Sequence, residues 1–165
     1  MKAALPTARK FNILALIINL AIPLAVGAIG GFFTSSNVQT WYPTIEKPSF
    51  NPPNWIFAPV WTTLYILIGI SAYLVWQKRE AIKNLPRTVA IYLIQLLLNL
   101  MWSFLFFSLH LIGAALFEII ALLIAILVNA KVFYKVDRTS GLLYIPYILW
   151  VSFATILTLS IFMLN

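Results

Sequence analysis

The chain contains no cysteine, which excludes disulfide bonds and thiolate metal sites. Its single histidine, His110, has no cluster of acids near it in the sequence, so no metal-binding or Ser/His/Asp pattern can be assembled around it. Charged residues make up 9% of the 165 residues, whereas a soluble domain usually carries about 25%. Because so few charges do not cover the surface of a water-soluble fold, we predict that lipid surrounds this protein.

The chain contains long apolar runs, and hydrophobic residues make up 62% of it. In lipid the backbone polar groups must be paired within the protein, which leaves helix bundles and closed barrels. Barrel strands alternate polar and apolar residues over about 10 residues, but these runs are uniformly apolar and near the roughly 20 residues of a spanning helix. The sequence therefore predicts an all-α integral membrane protein, a five-helix transmembrane bundle that forms one domain over 1–165. The predicted helices cover 12–34, 55–77, 87–108, 113–134 and 141–164, and a Trp/Pro-rich extramembrane loop covers 35–54.

The distribution of Lys and Arg predicts the orientation. With five spans, ten of the eleven cations share the side of the N-terminus, and Lys47 alone lies on the other side. An excess of cations marks the cytoplasmic side, so we expect the N-terminus inside and the loop and C-terminus outside. The first apolar run is longer than the about 7–15 residues of a signal-peptide core, so we expect it to remain as the first helix.

Polar side chains inside the predicted helices are candidates for a site, because each needs a partner in lipid. Gln95, Asn99 and Trp102 follow one another at spacings of four and three residues, which places them on one face of the third helix. That face offers amide and indole groups either to neighbouring helices or to a ligand. The sequence leaves both roles open.

Two other features of the spans favour structural roles. Glu118 is the only acid within a predicted span, and a hydrogen-bonded neutral carboxyl is favoured over a proton relay. Gly27 and Gly31 form a small-xxx-small pair, which predicts close helix packing.

Aromatic residues are concentrated on the helix faces and in the first loop. Two stripes have helical spacing: Phe57, Trp61 and Tyr65 in the second helix, and Tyr147, Trp150 and Ala154 in the fifth. The segment WYPTIEKPSFNPPNWIFAPVW, which begins at Trp41, adds three of the six tryptophans and five of the nine prolines. Repeated prolines restrict the backbone to few conformations. We therefore predict a rigid aromatic lid over the bundle and a site for a flat, mostly apolar ligand.

These residues resemble a known family. The segment WYPTIEKPSFNPPNWIFAPVWTTLYILIGISAYLVW, followed by QLLLNLMWSFLFF and PYILWVSFATILTL, is similar to the signature of the TspO/MBR family, the tryptophan-rich sensory proteins, whose animal members are the translocator protein or peripheral benzodiazepine receptor. The resemblance implies a bacterial member in the cell membrane, a homodimer, and a ligand pocket that opens toward the first loop. It also implies the family's ligands, which are protoporphyrin IX and related tetrapyrroles and benzodiazepine or isoquinoline carboxamide drugs.

The resemblance and the two aromatic stripes together give the candidate ligand-binding residues. They are Trp41, Tyr42, Trp55, Trp61, Tyr65, Gln95, Asn99, Trp102, Tyr147, Trp150 and Ala154. Ser49 and Phe50 stand where some bacterial members have a Trp-Trp pair, so a ring is missing there. The animal sterol motif is also missing, because neither a tyrosine nor an arginine follows Ala154 and Thr155 at the required positions.

Three functions remain open at this point. The first is a receptor or sensor for tetrapyrroles that needs no metal or organic cofactor and no nucleic acid, with the lipid bilayer and a small molecule as partners. The second is a light- and oxygen-dependent enzyme that degrades protoporphyrin, and its candidate indoles are Trp41, Trp55, Trp61 and Trp150. The third is a transporter of porphyrins or other amphipathic molecules, with Glu118 as a possible coupling group.

Overall fold

The computed structural model describes residues 11–165, which form a bundle of five spans. The helices are α1 (Ile13–Thr40), α2 (Phe57–Gln77, preceded by a 3₁₀ turn at Asn54–Ile56), α3 (Leu85–Ser103, continued by a π turn at Phe104–Ser108), α4 (Ile112–Val136), α5 (Arg138–Leu142) and α6 (Ile145–Leu164). The short α5 and α6 together make the fifth span. No β-strand occurs between residues 11 and 165. The predicted all-α membrane fold is confirmed.

Two predicted boundaries were wrong. The first loop does not begin at 35, because α1 continues to Thr40. Neither proline nor glycine lies between Gly31 and Pro43 to end the helix, and its last turns contact the segment after the third span, where His110 Nε2 lies 3.2 Å from Asn37 Oδ1. The loop therefore covers only 41–53. The fifth span also begins earlier than 141, because the Asp137 side chain caps α5 by accepting a bond from the Ser140 N–H at 2.8 Å.

The spans follow one another around the bundle in the order α1, α2, α5/α6, α4, α3. Helix α1 packs against α2 and α3, and α4 packs against α3 and α6. The interior is filled by completely or almost completely buried apolar side chains such as Ile68, Ile126 and Val151. Large apolar residues such as Phe32, Phe117 and Met163 are exposed by about three quarters on the outside, which is the arrangement that lipid requires. The bundle has two distinct ends, which we call the loop end (residues 41–53 and Asn165) and the basic end (Lys78, Arg79, Lys131, Lys135 and Arg138).

An ion pair fastens α2 to α5 at the basic end. Lys78 Nζ lies 2.6 Å from Asp137 Oδ2, and the hydroxyls of Ser71 and Ser140 meet at 2.7 Å beside them. Partial burial raises the pKa of the Asp137 carboxyl, but the Lys78 ammonium and the Ser140 N–H outweigh that effect and hold the pKa below its usual value. The carboxylate is therefore ionised at neutral pH and serves both as an ion-pair partner and as a helix cap.

Helices α1 and α2 approach each other most closely at Gly69. A Cβ atom at Gly69 would lie 2.8 Å from the Leu20 Cα and 2.9 Å from the Asn19 carbonyl oxygen, both of which are backbone atoms that side-chain motion cannot move aside. At Gly31, in contrast, a Cβ atom would meet nothing within 4 Å. The close packing predicted for Gly27 and Gly31 is thus found at Gly27, where a Cβ atom would strike the Tyr65 ring of α2, and not at Gly31; Gly69 adds a second close contact.

We predict that Gly69→Ala destabilises the bundle by about 1–3 kcal/mol, the usual cost of overpacking. The matched variant Gly31→Ala is expected to leave the thermal unfolding midpoint unchanged or slightly higher, because alanine favours helix over glycine. Circular dichroism melting of both variants in the same detergent checks this. Equal midpoints for the two variants would contradict the close approach at Gly69.

Candidate ligand-binding site

A cavity of about 730 Å³ lies inside the loop end of the bundle. Four of the five spans form its walls, and α4 supplies none of the lining residues. The walls are formed mainly by rings and small side chains: Gly27, Ala28, Gly31 and Ser35 from α1; Trp55, Phe57, Ala58, Trp61, Thr62 and Tyr65 from the start of the second span; Trp102, Phe106 and Phe107 from the third; Trp150, Ala154, Leu157, Thr158 and Ile161 from α6. No charged side chain lines the cavity among the residues that the structure describes.

Tyr42 forms part of the wall where the loop covers the cavity. Its ring is almost completely buried, and its hydroxyl donates to Asn51 Oδ1 at 2.6 Å. Burial raises the pKa of the phenol to about 12 against the opposing effect of the Asn51 bond, so the hydroxyl stays neutral at physiological pH. Lys47 Nζ donates to the Tyr42 and Ile45 carbonyl oxygens at 2.8 and 2.6 Å, which folds the loop over this ring.

The loop is also fastened to the rest of the protein at three places. Trp41 stacks on His110, with ring centroids 4.1 Å apart. The Asn165 side chain accepts a bond from the Glu46 N–H and donates one to the Glu46 oxygen, both at 3.0 Å. Phe50 packs edge-on against Phe153 of α6 at 6.2 Å. The predicted rigidity of the loop thus depends on these contacts as well as on proline.

His110 also takes part in this fastening. Its backbone φ is +56°, a left-handed conformation that turns the chain sharply between α3 and α4. Its Nε2 lies 3.2 Å from Asn37 Oδ1 at the end of α1. Trp41 stacks on the imidazole ring and does not line the cavity.

Aromatic pairs form the side walls. Trp61 stacks on Tyr65 with ring centroids 5.6 Å apart, and Phe57 packs edge-on against Trp150 at 6.0 Å. Trp102 stacks on Phe106 of the π turn at 5.3 Å. The indole N–H groups of Trp102 and Trp150 are buried without an acceptor in the described part of the chain. The walls therefore present mainly flat apolar ring surface.

A chain of three polar side chains supports the floor of the cavity. Tyr65 donates through its hydroxyl to Asn99 Oδ1 at 2.5 Å, and Asn99 Nδ2 donates to the Tyr147 hydroxyl at 2.8 Å. Asn99 and Tyr147 are almost fully buried behind Tyr65 and do not reach the cavity. Their geometry fixes the position of the Tyr65 ring, and through its stacking that of Trp61.

The structure brings most of the predicted site residues to this cavity. Seven line it: Tyr42, Trp55, Trp61, Tyr65, Trp102, Trp150 and Ala154. Four do not: Trp41, which stacks on His110; Asn99 and Tyr147, which support the floor; and Gln95, which is completely buried and has no hydrogen-bond partner within residues 11–165. Contact of any of them with a ligand stays a prediction.

Some lining residues were missed by sequence reasoning. Phe106 and Phe107 lie in the π turn, whose wider winding no sequence pattern signals. Leu157, Thr158 and Ile161 follow Ala154 at spacings of three, four and seven residues. Their helical spacing would have extended the predicted stripe on α6 toward the loop end.

Glu118 lies away from the cavity. Both of its carboxyl oxygens are buried without a hydrogen-bond partner among the described residues, and the side chain does not belong to the cavity wall. Within the described range no group of three or more histidine or acidic side chains is placed to hold a metal ion. The coupling role of Glu118 stays a prediction.

Residues 19–164 match the TspO/MBR family. The chain belongs to this family. Similar proteins include the "Tryptophan-rich protein TspO" of Archaeoglobus fulgidus, which is 46% identical over 93% of this chain and 99% of that protein. The "Tryptophan-rich protein TspO" of Chlorobaculum tepidum is 40% identical over 93% of this chain and 98% of that protein. The "Translocator protein" of Sus scrofa is 35% identical over 80% of this chain and 81% of that protein.

The TspO/MBR match agrees with the fold. Five apolar helices long enough to cross a membrane identify the chain as an integral membrane protein of the TspO type. Tryptophans line the cavity of this chain, and tryptophan is the residue type in the names of two of these relatives.

Proposed function

We propose that this TspO-type protein is a receptor that binds a flat tetrapyrrole, with protoporphyrin IX as the model ligand, in the cavity under the first loop. The observation that carries the proposal is the cavity itself. Its volume of about 730 Å³ lies within the roughly 300–1,000 Å³ of small-molecule sites, and its walls are rings held by the loop and by the Tyr65–Asn99–Tyr147 chain. A macrocycle offers two large apolar faces that suit such walls.

The same cavity suits smaller aromatic drugs. Isoquinoline carboxamides and benzodiazepines carry a carbonyl group on a flat ring system. The ring faces of Trp61 and Trp150 on the cavity wall offer flat apolar surface to such ring systems. Because no charged side chain among the described residues lines the walls, we expect the apolar rings of a ligand to lie inside, and any ionised carboxylates of a tetrapyrrole to lie away from these walls. Formation of a homodimer and an outward-facing loop remain part of the proposal.

Titration with protoporphyrin IX tests the proposal. Five of the six tryptophans lie at the loop end, and Trp76 lies beside Tyr73 at the other end of α2. The variant Trp76→Phe removes the remote indole and should keep nearly all of the quenching. We expect saturable quenching of tryptophan fluorescence at one porphyrin per chain, and competition by an isoquinoline carboxamide. Quenching that never saturates, or that Trp76→Phe removes, would contradict the proposal.

Light-dependent breakdown of bound protoporphyrin is a second candidate function, favoured by the placement of Trp61 and Trp150 on the same cavity. Indoles beside an excited porphyrin can exchange electrons with it, so no metal, acid or base is needed. We predict that a Trp61→Phe, Trp150→Phe variant loses most of the porphyrin bleaching that illumination in air produces in the wild type.

The control for that prediction is a Trp41→Phe variant, which alters an indole outside the cavity. Absorbance of the porphyrin bands is followed in light and in darkness for all three proteins. Equal bleaching in wild type and in the Trp61/Trp150 variant would remove the case for an enzyme and leave binding untouched.

A further inference from the structure

The cavity reaches the outer surface of the bundle between α1 and α2. The lining residues at this place are exposed as well as part of the cavity wall: Ala28, Gly31 and Ser35 on α1, and Ala58 and Thr62 on α2. All five have small side chains, and a Cβ atom added at Gly31 would meet no other atom within 4 Å. We call this opening the side gap.

The side gap results from how the two helices cross. Nearer the basic end they touch at Gly69, where a Cβ atom would strike the backbone at Leu20. One step further, Gly27 lies against the Tyr65 ring, and a Cβ atom there would strike that ring. Toward the loop end, the cavity occupies the space between the helices.

The side gap lies at the depth of lipid tails. Gly31 is about 27 Å along α1 from Ile13, and Thr62 is about 22 Å along α2 from Gln77, at about 1.5 Å per residue. The hydrocarbon core of a bilayer is about 30 Å thick. For a hydrocarbon core that begins at Ile13 and Gln77, both residues lie within it, in the leaflet at the loop end.

The opening continues toward the loop end, where Gln39, Asn54 and Trp55 are exposed and also line the cavity. A way in through the loop itself is fastened. Its opening would separate Trp41 from His110, the Glu46 backbone from Asn165, and Phe50 from Phe153. Passage through the side gap breaks none of these contacts. It also keeps an apolar molecule out of water from the bilayer to the cavity, which avoids the cost of exposing its surface.

We propose that flat, uncharged aromatic molecules dissolved in the leaflet at the loop end enter and leave the cavity through the side gap between α1 and α2. Tetrapyrroles with esterified or neutral carboxyl groups belong to this class. The proposal rests on the proposed binding function for its physiological meaning, but the gap itself can be tested without a porphyrin.

The ligand-independent test uses the absence of cysteine in the chain. Ala154→Cys places a single thiol on the cavity wall, on α6, away from the two helices that border the gap. An uncharged maleimide carried in lipid vesicles is expected to label it. Adding Thr62→Trp, which fills the gap, should slow labelling roughly tenfold or more, while adding Ile124→Trp on the lipid-facing side of α4, which supplies no residue to the cavity wall, should not.

A variant that loosens the loop separates the two routes. His110→Ala removes the ring on which Trp41 stacks, and we expect it to leave labelling of Ala154→Cys from the lipid phase unchanged. Faster labelling in His110→Ala together with no effect of Thr62→Trp would overturn the side gap. An absence of labelling from the lipid phase would overturn it as well.

The corresponding porphyrin experiment measures rates instead of affinity. With protoporphyrin dimethyl ester supplied in vesicles, Thr62→Trp is expected to slow association and dissociation together by about tenfold, because it narrows the passage in both directions. Labelling through the gap without porphyrin binding would refute the proposed function and leave the gap standing. Porphyrin exchange that Thr62→Trp does not slow would refute the gap and leave the function standing.

Discussion

Replacement of Ala154 by tryptophan is expected to abolish saturable protoporphyrin binding. The Ala154 methyl group lines the cavity on α6, and α4 packs against the opposite side of this helix. An indole at this position has room only in the cavity, where it would occupy the space proposed for the macrocycle. We expect an affinity loss of at least about 100-fold, equivalent to roughly 2.7 kcal/mol.

The control is Ile156→Trp, two residues further along α6. Ile156 is 57% exposed on the lipid-facing side, so an indole there changes the helix surface and leaves the cavity empty. Fluorescence titration and thermal melting of both variants separate loss of the site from loss of the fold. Unchanged affinity in a folded Ala154→Trp protein would show that the ligand binds elsewhere.

Asn99→Leu is expected to weaken both the fold and the site. Leucine has nearly the same size as asparagine, but it leaves the hydroxyls of Tyr65 and Tyr147 without their partner in a buried place. Each unpaired buried group costs about 1–3 kcal/mol. Because Tyr65 carries the stacked Trp61 ring, we also expect porphyrin affinity to fall by roughly tenfold, about 1.4 kcal/mol.

A triple variant tests the cause of that loss. Tyr65→Phe and Tyr147→Phe, combined with Asn99→Leu, remove all three polar groups, and replacing every partner by apolar groups of similar shape is often nearly neutral. The triple variant is therefore expected to regain most of the thermal stability that Asn99→Leu loses. If it melts no higher than the single variant, the hydrogen-bond chain does not explain the effect.

The main fold could be predicted because lipid imposes strong constraints. Each span had to be a long apolar helix, so the number of spans followed from the apolar runs in the sequence. The end of α1 was predicted too early, because the prediction followed the apolar run alone. The segment from Ser35 to Thr40 is polar and extends beyond the apolar run, yet no proline or glycine interrupts it and Asn37 contacts His110 after the third span.

The candidate site was predictable where helical spacing carries the information. Trp61 and Tyr65, or Trp150 and Ala154, share a face in the sequence and a cavity in the structure. Spacing does not reveal contacts between distant segments, so the stacking of Trp41 on His110 was not foreseen. It also did not separate the roles of Gln95 and Asn99, since only the packing of α2 and α6 gives Asn99 its two tyrosine partners.

A structure of the protein bound to protoporphyrin IX would show directly whether the cavity is the binding site. We expect macrocycle density inside the bundle, against the rings of Trp61, Trp102 and Trp150 and beneath Tyr42, with the loop contacts of Trp41 and Asn165 intact. Density for the macrocycle on the outer surface of the helices or above the loop, with these rings unchanged and uncontacted, would contradict the proposed function.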